Sequence, residues 1–406
     1  MMKSKRKVPE IRFAGFEGDW DKLPLSEYLT TSKTKNRDNT FGKEDVLSVS
    51  REFGVINQIE YQGRSFAGAS VTGYGVAETN DIIYTKSPLR DQPYGIIKTN
   101  KGVPGIVSAL YAIYHPNENV EPDFIQTFFD KDKRLNDYLR PIVHKGAKNT
   151  LNIGDVEALS GKVIFPKREE QIKIAGSFKN IDALITKQMN VCEKLRTLRE
   201  ALLSSLLPQG AETKPRVRLG EFTESWTEYF ASDVFQPVSD KGHPELPILS
   251  ASQELGMIPR SETGIEMSYG TQNVATYKRV LSGHFVIHLR SFQGGFAHSA
   301  IEGITSPAYT VMQLKDVASQ YDIFWKYVLT SKQFIKCLEA VTYGIRDGKS
   351  IKYENFATLK FLVPKKKEQI AIANLLVEYD RLIQFNEQKL DKLRNLKQAM
   401  LDKMFV

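Results

Sequence analysis

Two long stretches of the chain, residues 166–207 and 364–406, carry apolar residues at alternating spacings of four and three. This period places the apolar residues on one face of a helix, and it persists for about five heptads, which is typical of a coiled coil. We expect this face to pair the two helices. The predicted seam consists of Ile174, Phe178, Ile181, Ile185, Gln188, Leu195 and Leu202 in the first stretch and Leu376, Tyr379, Ile383, Asn386, Leu390, Leu393 and Met400 in the second.

Polar residues interrupt the seam at matching places in the two stretches. Gln188 corresponds to Asn386, and Arg199 corresponds to Lys397. Polar side chains inside such a seam fix the register of paired helices at some cost in stability. The alternative is an amphipathic helix packed on its own domain, but a helix of roughly 40 residues is about 60 Å long and would extend past one small domain.

The chain is a tandem duplication. FPKREEQIKIA from Phe165 and VPKKKEQIAIA from Val363 share seven of eleven residues, 198 positions apart. A second repeated segment opens each half: PEIRFAGFEGDW from Pro9 and PRVRLGEFTESW from Pro215 share Pro, Arg, Phe and Trp at the same spacing. The two repeats together indicate a duplication. Related halves pack most simply about a pseudo-twofold axis, which would make the two long helices antiparallel.

The segments between the repeats predict two variable domains of mixed helix and strand. Apolar runs such as DIIYT, GKVIF, HFVIHL and LKFLV indicate strands, and DIFWKYVLTSKQFIKCL indicates small helices. Trp20 and Trp226 are expected to anchor the cores. The predicted fold class is α+β, with two α/β domains joined by two long helices that form an antiparallel coiled coil in a pseudo-twofold tandem repeat. The predicted divisions are 1–165 (first domain), 166–207 (first helix), 208–213 (linker), 214–363 (second domain) and 364–406 (second helix).

Composition restricts the class of protein. At 406 residues, 41% hydrophobic and 26% charged, the chain has the composition of a soluble globular protein with room for two or more domains. No window approaches 18 uninterrupted apolar residues, and no apolar signal core follows MMKSKRKV, so we expect a cytoplasmic protein. Cys192 and Cys337 lie far apart, with no neighbouring histidine pair, and encode neither a disulfide framework nor a zinc site.

The net charge of +8 favours an anionic partner, but the charge is unevenly distributed. Lys and Arg minus Asp and Glu gives +2 for residues 1–165, +3 for 166–207, 0 for 208–363 and +3 for 364–406. The excess lies mostly in the long helices. Variable domains that bind nucleic acid would therefore use local basic patches.

The repeated motifs P-x-x-x-E-Q-x-x-I-A, at the start of each helix, and P-x-[IV]-R-[FL]-x-x-F-x-x-x-W, at the start of each domain, resemble those of the DNA-specificity subunit of a type I restriction-modification enzyme. The resemblance covers nearly the whole chain. LRSFQGGFAHS with the later SPAY, from Leu289 to Tyr309, and TKSPLRDQPYGIIK from Thr85 are similar to target-recognition-domain sequences of that family. The resemblance implies a non-catalytic subunit whose two target-recognition domains each read one half of a split, asymmetric target in double-stranded DNA.

The resemblance also implies partners. The subunit would join two methyltransferase subunits and, in the full nuclease, two ATP-dependent restriction (translocase) subunits. No cofactor is then expected in this chain: S-adenosylmethionine, ATP and Mg²⁺ would bind the partners, and methylation would fall on N6 of adenine. Half-sites on one face of B-DNA lie about 34 Å apart, and a spacer helix of about 60 Å can span this distance.

Polar loop residues that follow apolar strands are the candidates for DNA contacts, because Arg, Lys, Asn, Gln and Ser can reach base edges in the major groove. For each the alternative is an ordinary loop residue. The base-reading candidates are Lys86, Ser87, Arg90 and Tyr94 after DIIY, and Arg290, Ser291, Gln293 and His298 after HFVIHL. The phosphate-binding candidates are Lys145, Lys148 and Asn149 in HKGAKN, and Arg346 and Lys349 at the equivalent point of the second half.

Three near-motifs would favour an enzyme, but each departs from its pattern. YGIRDGKS resembles a phosphate-binding loop, but three residues rather than four separate Gly344 from Gly348. DQPY resembles the D-P-P-Y element of amino-methyltransferases, but Gln92 breaks it, and the glycines of VTGYG lie too close to it for a cofactor-binding domain to fit between. The alternatives that remain open are a coiled-coil scaffold that binds only protein and a self-contained DNA methyltransferase.

Overall fold

The computed structural model consists of two compact units, and each long helix runs from one unit into the other. Unit 1 comprises Met1–Met189 and Lys389–Val406, and unit 2 comprises Asn190–Gln388. The first long helix, α4, is Arg168–Leu206, and the second, α9, is Lys366–Lys403. The predicted domain boundaries along the chain stay a prediction. The structure describes residues 7–89, 92–145, 151–210, 212–220, 222–252, 255–263, 271–288, 295–341 and 351–406.

Unit 1 is built from short strands and short helices that precede α4. The helices are α1 (Gln58–Gln62), α2 (Pro122–Phe129) and α3 (Asp132–Leu139). The strands are β1 (Asp21–Pro24), β2 (Leu29–Thr31), β3 (Leu47–Ser50), β4 (Gly54–Asn57), β5 (Gly75–Ala77), β6 (Ile82–Thr85), β7 (Ile97–Thr99), β8 (Gly105–Val107), β9 (Tyr111–Pro116), β10 (His144–Lys145), β11 (Leu151–Asn152) and β12 (Lys162–Phe165).

A four-stranded antiparallel sheet, in the order β2-β9-β6-β7, forms the centre of unit 1. Successive residues of a strand point to opposite faces of a sheet. Ile82 and Tyr84 of β6 lie in the larger core with Phe124 of α2, whereas Ile83 packs with Ala77 of β5 in a second core. Apolar side chains cover both faces, which explains why this strand has a continuous apolar sequence.

Unit 2 is likewise built from short strands and short helices. Its helices before α9 are α5 (Ala231–Val234), α6 (Asp322–Leu329), α7 (Lys332–Val341) and α8 (Tyr353–Ala357). Its strands are β13 (Thr227–Phe230), β14 (Phe235–Val238), β15 (Leu249–Ser252), β16 (Gly256–Pro259), β17 (Lys278–Val280), β18 (Phe285–Ile287), β19 (Phe296–His298), β20 (Gly303–Thr305), β21 (Thr310–Leu314) and β22 (Lys360–Val363).

The central sheet of unit 2 has the equivalent order, β14-β21-β18-β19. Phe285 and Ile287 of β18 face a core that contains Phe324 of α6, and Val286 faces a second core with Met257 of β16. The strands predicted in DIIYT, GKVIF, HFVIHL and LKFLV occur as β6, β12, β18 and β22. The predicted mixture of α and β structure is confirmed.

The two long helices pack against one another in antiparallel orientation. In unit 1 the start of α4 contacts the end of α9, because Phe178 shares a core with Leu401. In unit 2 the end of α4 contacts the start of α9, because Leu206 shares a core with Leu376. The predicted antiparallel helix pair is confirmed. Each of the fourteen predicted seam residues is buried or half-buried.

The same ion pair links the helices in both units. In unit 1 Lys397 Nζ lies 2.7 Å from Asp182 Oδ1, and in unit 2 Arg199 Nε lies 2.9 Å from Asp380 Oδ1. Corresponding members of the two pairs are 198 residues apart, which is the repeat distance. In unit 2 the pair has one addition: the Tyr327 hydroxyl donates to Asp380 at 2.7 Å. Burial and this hydrogen bond raise the pKa of Tyr327.

The two repeated motifs meet in each unit through an ion pair between a partly exposed arginine and a buried glutamate, which we call the Arg–Glu lock. In unit 1 Arg12 donates from Nε and Nη2 to the two carboxylate oxygens of Glu170, each at 2.8 Å. In unit 2 Arg218 and Glu368 make the same two bonds, each at 2.8 Å. The glutamate side chains are only 2% and 3% exposed. Hydrogen bonding to these carboxylates raises the pKa of both arginines.

The glutamine next to each of these glutamates fixes a short helix. Gln171 accepts a hydrogen bond from the backbone N–H of Glu121, at the start of α2, at 2.9 Å. Gln369 accepts the equivalent bond from Tyr321, at the start of α6, also at 2.9 Å. Both glutamines are fully buried. The E-Q pair of the repeated motif is therefore explained by the scaffold and requires no ligand.

The end of α9 completes the core of unit 1. The buried Phe405 ring lies 5.5 Å from that of Phe124 and 5.9 Å from that of Phe178. The Arg134 guanidinium lies 4.5 Å over Phe405 and donates to the Leu401 carbonyl at 2.8 Å, which satisfies a carbonyl in the last turn of the helix. Burial lowers the pKa of Arg134 to about 10.

Trp20 and Trp226 lie in the main cores of units 1 and 2, as expected. Cys192 is buried and Cys337 is exposed. Within the described ranges, no helix combines the length and the apolar character that crossing a bilayer requires.

Candidate nucleic-acid interface

The predicted base-reading loop of unit 1 follows strand β6. Lys86 Nζ lies 2.9 Å from Asp155 Oδ1, and the Lys86 side chain is 19% exposed. Ser87 and Tyr94 are half-buried, and Arg90 lies outside the described residues. Because a carboxylate already holds Lys86, its ammonium group would have to leave that partner to contact a base. The four residues stay predicted base readers.

The structure brings this loop close to the predicted phosphate-binding segment of unit 1. Asp155, the partner of Lys86, follows β11 by three residues; β10 contains the first two residues of the segment HKGAKN, and β11 follows the segment. Lys145 ends strand β10, whereas Lys148 and Asn149 lie outside the described residues. Among the described residues, Lys86 therefore contacts the chain just after the hairpin strand that follows the predicted phosphate-binding segment.

The corresponding loop of unit 2 joins β18 to β19. His298 is part of β19, is 8% exposed, and has Nε2 at 2.8 Å from Asp322 Oδ2. This hydrogen bond lowers the pKa of Asp322. A buried ring beside a carboxylate is less accessible to a base than a loop residue, and its role in reading stays a prediction. Outside the described residues lie Arg290, Ser291, Gln293, Arg346 and Lys349.

Asp132, at the start of α3, connects the reading loop of unit 1 to a hairpin that the sequence analysis did not single out. Gln92, which is 1% exposed, donates from Nε2 to Asp132 Oδ1 at 2.7 Å. Arg51, in the turn between β3 and β4, pairs with Asp132 Oδ2. The residue that breaks the D-P-P-Y pattern thus supports the loop. The signal for the hairpin was the similarity of VLSVSREFGVI, from Val46, to ILSASQELGMI, from Ile248.

Each unit also exposes a pair of leucines beside the helix seam. In unit 1 these are Leu184 and Leu396, and in unit 2 they are Leu382 and Leu198, all between 46% and 56% exposed. Leu184 matches Leu382 and Leu198 matches Leu396 across the repeat distance of 198 residues. Single exposed apolar residues are common on proteins, so it is their recurrence at equivalent positions of both units that makes these leucines candidates for a protein contact.

The enzyme near-motifs have structural explanations in the described part of the chain. Gly75 of VTGYG opens strand β5, and a Cβ there would lie 2.7 Å from Ile113 Cδ1, so the glycine allows close packing of strands. The loop YGIRDGK lies within residues 342–350, outside the described ranges. Among the residues that are described, no group of three or more His, Cys, Asp and Glu side chains could hold a metal ion.

Three solved structures are similar to this chain over nearly their whole length. The S subunit of a type I restriction-modification system from M. genitalium aligns with a TM-score of 0.57 and 13% identity, and the match covers 98% of this chain and 99% of that one. A chain from work on complex assembly and conformational transition of the type I R-M system aligns with a TM-score of 0.55 and 15% identity, over 95% and 97%. The HsdS subunit from Thermoanaerobacter tengcongensis aligns with a TM-score of 0.48 and 16% identity, and the match covers 95% of this chain and 96% of that one.

No protein-family model matches the sequence. At these identities the likeness is one of fold, and the first two structures carry it. The chain therefore has the fold of a type I restriction-modification S subunit: two mixed α and β units and two long helices that pack together.

Proposed function

We propose that this chain is the DNA-specificity subunit of a type I restriction-modification complex and reads a bipartite DNA target. The observation that supports this best is a mixed α and β unit present twice, with long helices that each run through both units. Different bases present different donors and acceptors in the major groove. Two units on one scaffold, with different loops, therefore suit a target whose halves differ.

Base contacts would come from the loops after β6 and β18, and phosphate contacts from the segments around Lys148 and Arg346. The Arg–Glu locks and the buried glutamines lie in the repeated motifs, outside these loops. Substitutions in the loops can therefore alter reading while the scaffold stays intact. Phosphate contacts would set affinity, and base contacts would set specificity.

The paired exposed leucines support a partner that binds twice. Leu184 and Leu396 in unit 1 occupy the positions equivalent to Leu382 and Leu198 in unit 2, and all four are exposed. Equivalent surfaces bind copies of the same protein, so we assign them to two methyltransferase subunits. Restriction subunits would complete the nuclease. In this proposal the chain supplies no catalytic group, and S-adenosylmethionine, ATP and Mg²⁺ bind the partners.

The test is to express the chain with its methyltransferase subunit and to sequence the methylome of the cells with and without the chain. We expect methylation at one split, asymmetric motif only when the chain is present. The purified chain alone should neither transfer methyl groups nor hydrolyse ATP. Turnover by the isolated chain, lost in Lys349→Ala, would replace this proposal with an enzyme.

Two variants then separate positioning from reading. Arg290→Ala should relax discrimination at one base of one half-site, a loss of about 1–3 kcal/mol. Lys148→Ala should weaken binding to all sequences and flatten its dependence on salt. If Arg290→Ala weakens binding to target and non-target DNA equally, the assignment of that loop to base reading is wrong.

A further inference from the structure

Both units contain a hairpin whose turn exposes one bulky apolar side chain. Phe53, between β3 and β4, is 58% exposed, and Leu255, between β15 and β16, is 70% exposed. A glycine with positive φ follows each of them, Gly54 at +74° and Gly256 at +76°. The registers agree, because a serine pairs with the glycine across the turn in each hairpin. The two turns are therefore copies of one feature, which we call the apolar tip.

The apolar side chain is not needed to form the turn. Ser50 Oγ accepts hydrogen bonds from the backbone N–H groups of Glu52 and Phe53, each at 3.3 Å. In unit 2 Ser252 accepts the bond from Leu255 at 3.2 Å. In unit 1 the serine and the left-handed glycine are sufficient to define a three-residue hairpin turn. Formation of the turn therefore does not explain why both units keep a large apolar residue in solvent at this position.

The tip of unit 1 adjoins a predicted base-reading loop, and the tip of unit 2 adjoins a predicted base-reading residue. In unit 1 Asp132 binds Arg51 of the tip and Gln92 of the reading loop, which places the two segments side by side. In unit 2 a Cβ at Gly256 would collide with the carbonyl oxygen of His298, the last residue of β19. His298 is itself one of the predicted base-reading residues, at the end of β19 away from the loop. Each tip therefore lies beside a predicted reading loop or a predicted reading residue, and we assign both tips to the DNA-binding surface.

The surroundings of Phe53 suit a nucleic-acid base. The ring of Tyr61, 44% exposed, lies 5.6 Å from that of Phe53. The Arg64 guanidinium lies 4.6 Å over the exposed ring of Phe66. Gln58 Oε1 holds this segment in place by accepting the Phe66 N–H at 2.7 Å. Fixed aromatic faces beside a guanidinium are the combination on which unstacked bases pack.

We propose that the apolar tips are wedges: Phe53 and Leu255 each enter the DNA beside one half-site and unstack a base step. Phe and Leu are side chains that architectural proteins insert between base pairs to kink the duplex. Neither can make the hydrogen bonds that distinguish bases, and both units retain an apolar residue here although their other loops differ. A sequence-independent distortion explains this better than base reading does.

A protein partner fits the tips less well. A stable protein interface buries about 800 Å² on each side, and one side chain at the point of a tight turn offers a small fraction of this area. A gap between base pairs, in contrast, accepts a single ring or branched side chain. The wedge rests on the proposed function, and it adds a mechanical role to the recognition surface.

The test uses the complex of the full chain with its methyltransferase partner and a duplex that carries the mapped target. The adenine analogue 2-aminopurine, whose fluorescence rises on unstacking, is placed at successive positions along the duplex. We expect one bright step beside each half-site. Phe53→Ala should abolish the signal at one half-site and Leu255→Ala at the other, each with roughly tenfold weaker binding. Phe53→Leu should keep the signal, because unit 2 carries leucine at this position.

Matched controls are Val103→Ala in unit 1 and Val317→Ala in unit 2, which truncate residues exposed by 76% and 70% outside the tips. They should leave both signals unchanged. One outcome is that the wild-type complex binds its target while Phe53→Ala and Leu255→Ala change neither fluorescence nor affinity. That result would contradict the wedge proposal and leave the proposed function intact. Loss of the methyltransferase subunit from the Phe53→Ala complex would identify the tip as a protein contact instead. A wild-type complex without sequence preference would overturn both proposals.

Discussion

At the scale of single residues, the most informative positions are the arginines and glutamates that recur in both halves. Arg12 and Glu170 lie 158 positions apart, yet they form a two-bond ion pair whose glutamate is almost fully buried, and Arg218 and Glu368 repeat it. A buried carboxylate must be paired and hydrogen-bonded to be tolerated. The locks therefore couple the beginning of each half to the start of its long helix.

Arg12→Ala is expected to be strongly destabilising. It leaves the Glu170 carboxylate buried without its counter-charge, and breaking a buried ion pair costs about 3–5 kcal/mol. The free energy of unfolding, measured in urea, should fall by this amount, and Arg218→Ala should behave alike in unit 2. The double substitution Arg12→Met with Glu170→Met should lose much less, since no unpaired charge remains. Equal losses in the single and double variants would show that the charges do not matter.

The sequence predicted the importance of these motifs but not the partners of individual side chains. Identical spacing in the two halves revealed that Arg12 and Glu170 matter, whereas their contact depends on how the chain folds back. For the same reason Lys86 could be placed in a loop but not beside Asp155, which is 69 positions away. Loop residues pair with whatever the fold brings near them, and no local pattern encodes that partner.

At the scale of elements, the long helices were the most predictable feature. Apolar spacing alone indicates a seam, and the helices begin at Arg168 and Lys366, two residues after Pro166 and Pro364. The duplication then predicted that the two helices are antiparallel. It did not reveal that each compact unit takes the start of one helix and the end of the other, because that division depends on packing between segments far apart in sequence.

In unit 1 the acidic and basic residues of the ion pair between the helices should be interchangeable, whereas in unit 2 they should not. Asp182→Lys places a second positive charge beside Lys397. It should lower the free energy of unfolding by about 1 kcal/mol, as expected for a partly exposed pair. Adding Lys397→Asp should restore most of this loss in a double-mutant cycle. The same exchange at Arg199 and Asp380 should not recover, because Asp380 also accepts the Tyr327 hydroxyl. Full recovery in unit 2 would show that this third group contributes nothing.

At the scale of the whole molecule, the repeat means that the first half encodes most of the contacts that the second half supplies to unit 1. In unit 1 the start of α4 packs against Leu401 and Met404 from the end of α9. The first half encodes equivalents of both at its own helix end, Leu203 and Leu206, and Arg199 is the equivalent of Lys397. A second copy of the first half therefore carries equivalents of these groups, with Leu207 in place of Phe405.

A fragment that ends near Pro208 is accordingly expected to dimerise through its seam. Leaving Ile174, Phe178 and Ile181 in solvent would forfeit several kcal/mol of burial, at roughly 1.5–3 kcal/mol for each large side chain. Two identical readers related by a twofold axis would recognise a split palindrome built from the first half-site. Mass in solution and methylome sequencing with the methyltransferase partner provide the measurement. A soluble monomer, or a dimer that still modifies the asymmetric target, would contradict the pairing role of the repeated helices.

The composition of the two units also sets an order of events during synthesis. Unit 2 is one continuous piece of chain, residues 190–388, whereas unit 1 needs residues 389–406 as well. Protein domains generally fold in the order in which the ribosome delivers them. Here Leu401 and Phe405, which complete the core of unit 1, emerge only after all of unit 2 has been made. We therefore expect unit 2, which is encoded later, to reach its native state first. Unit 1 can complete its core only after the last turns of α9 have been made.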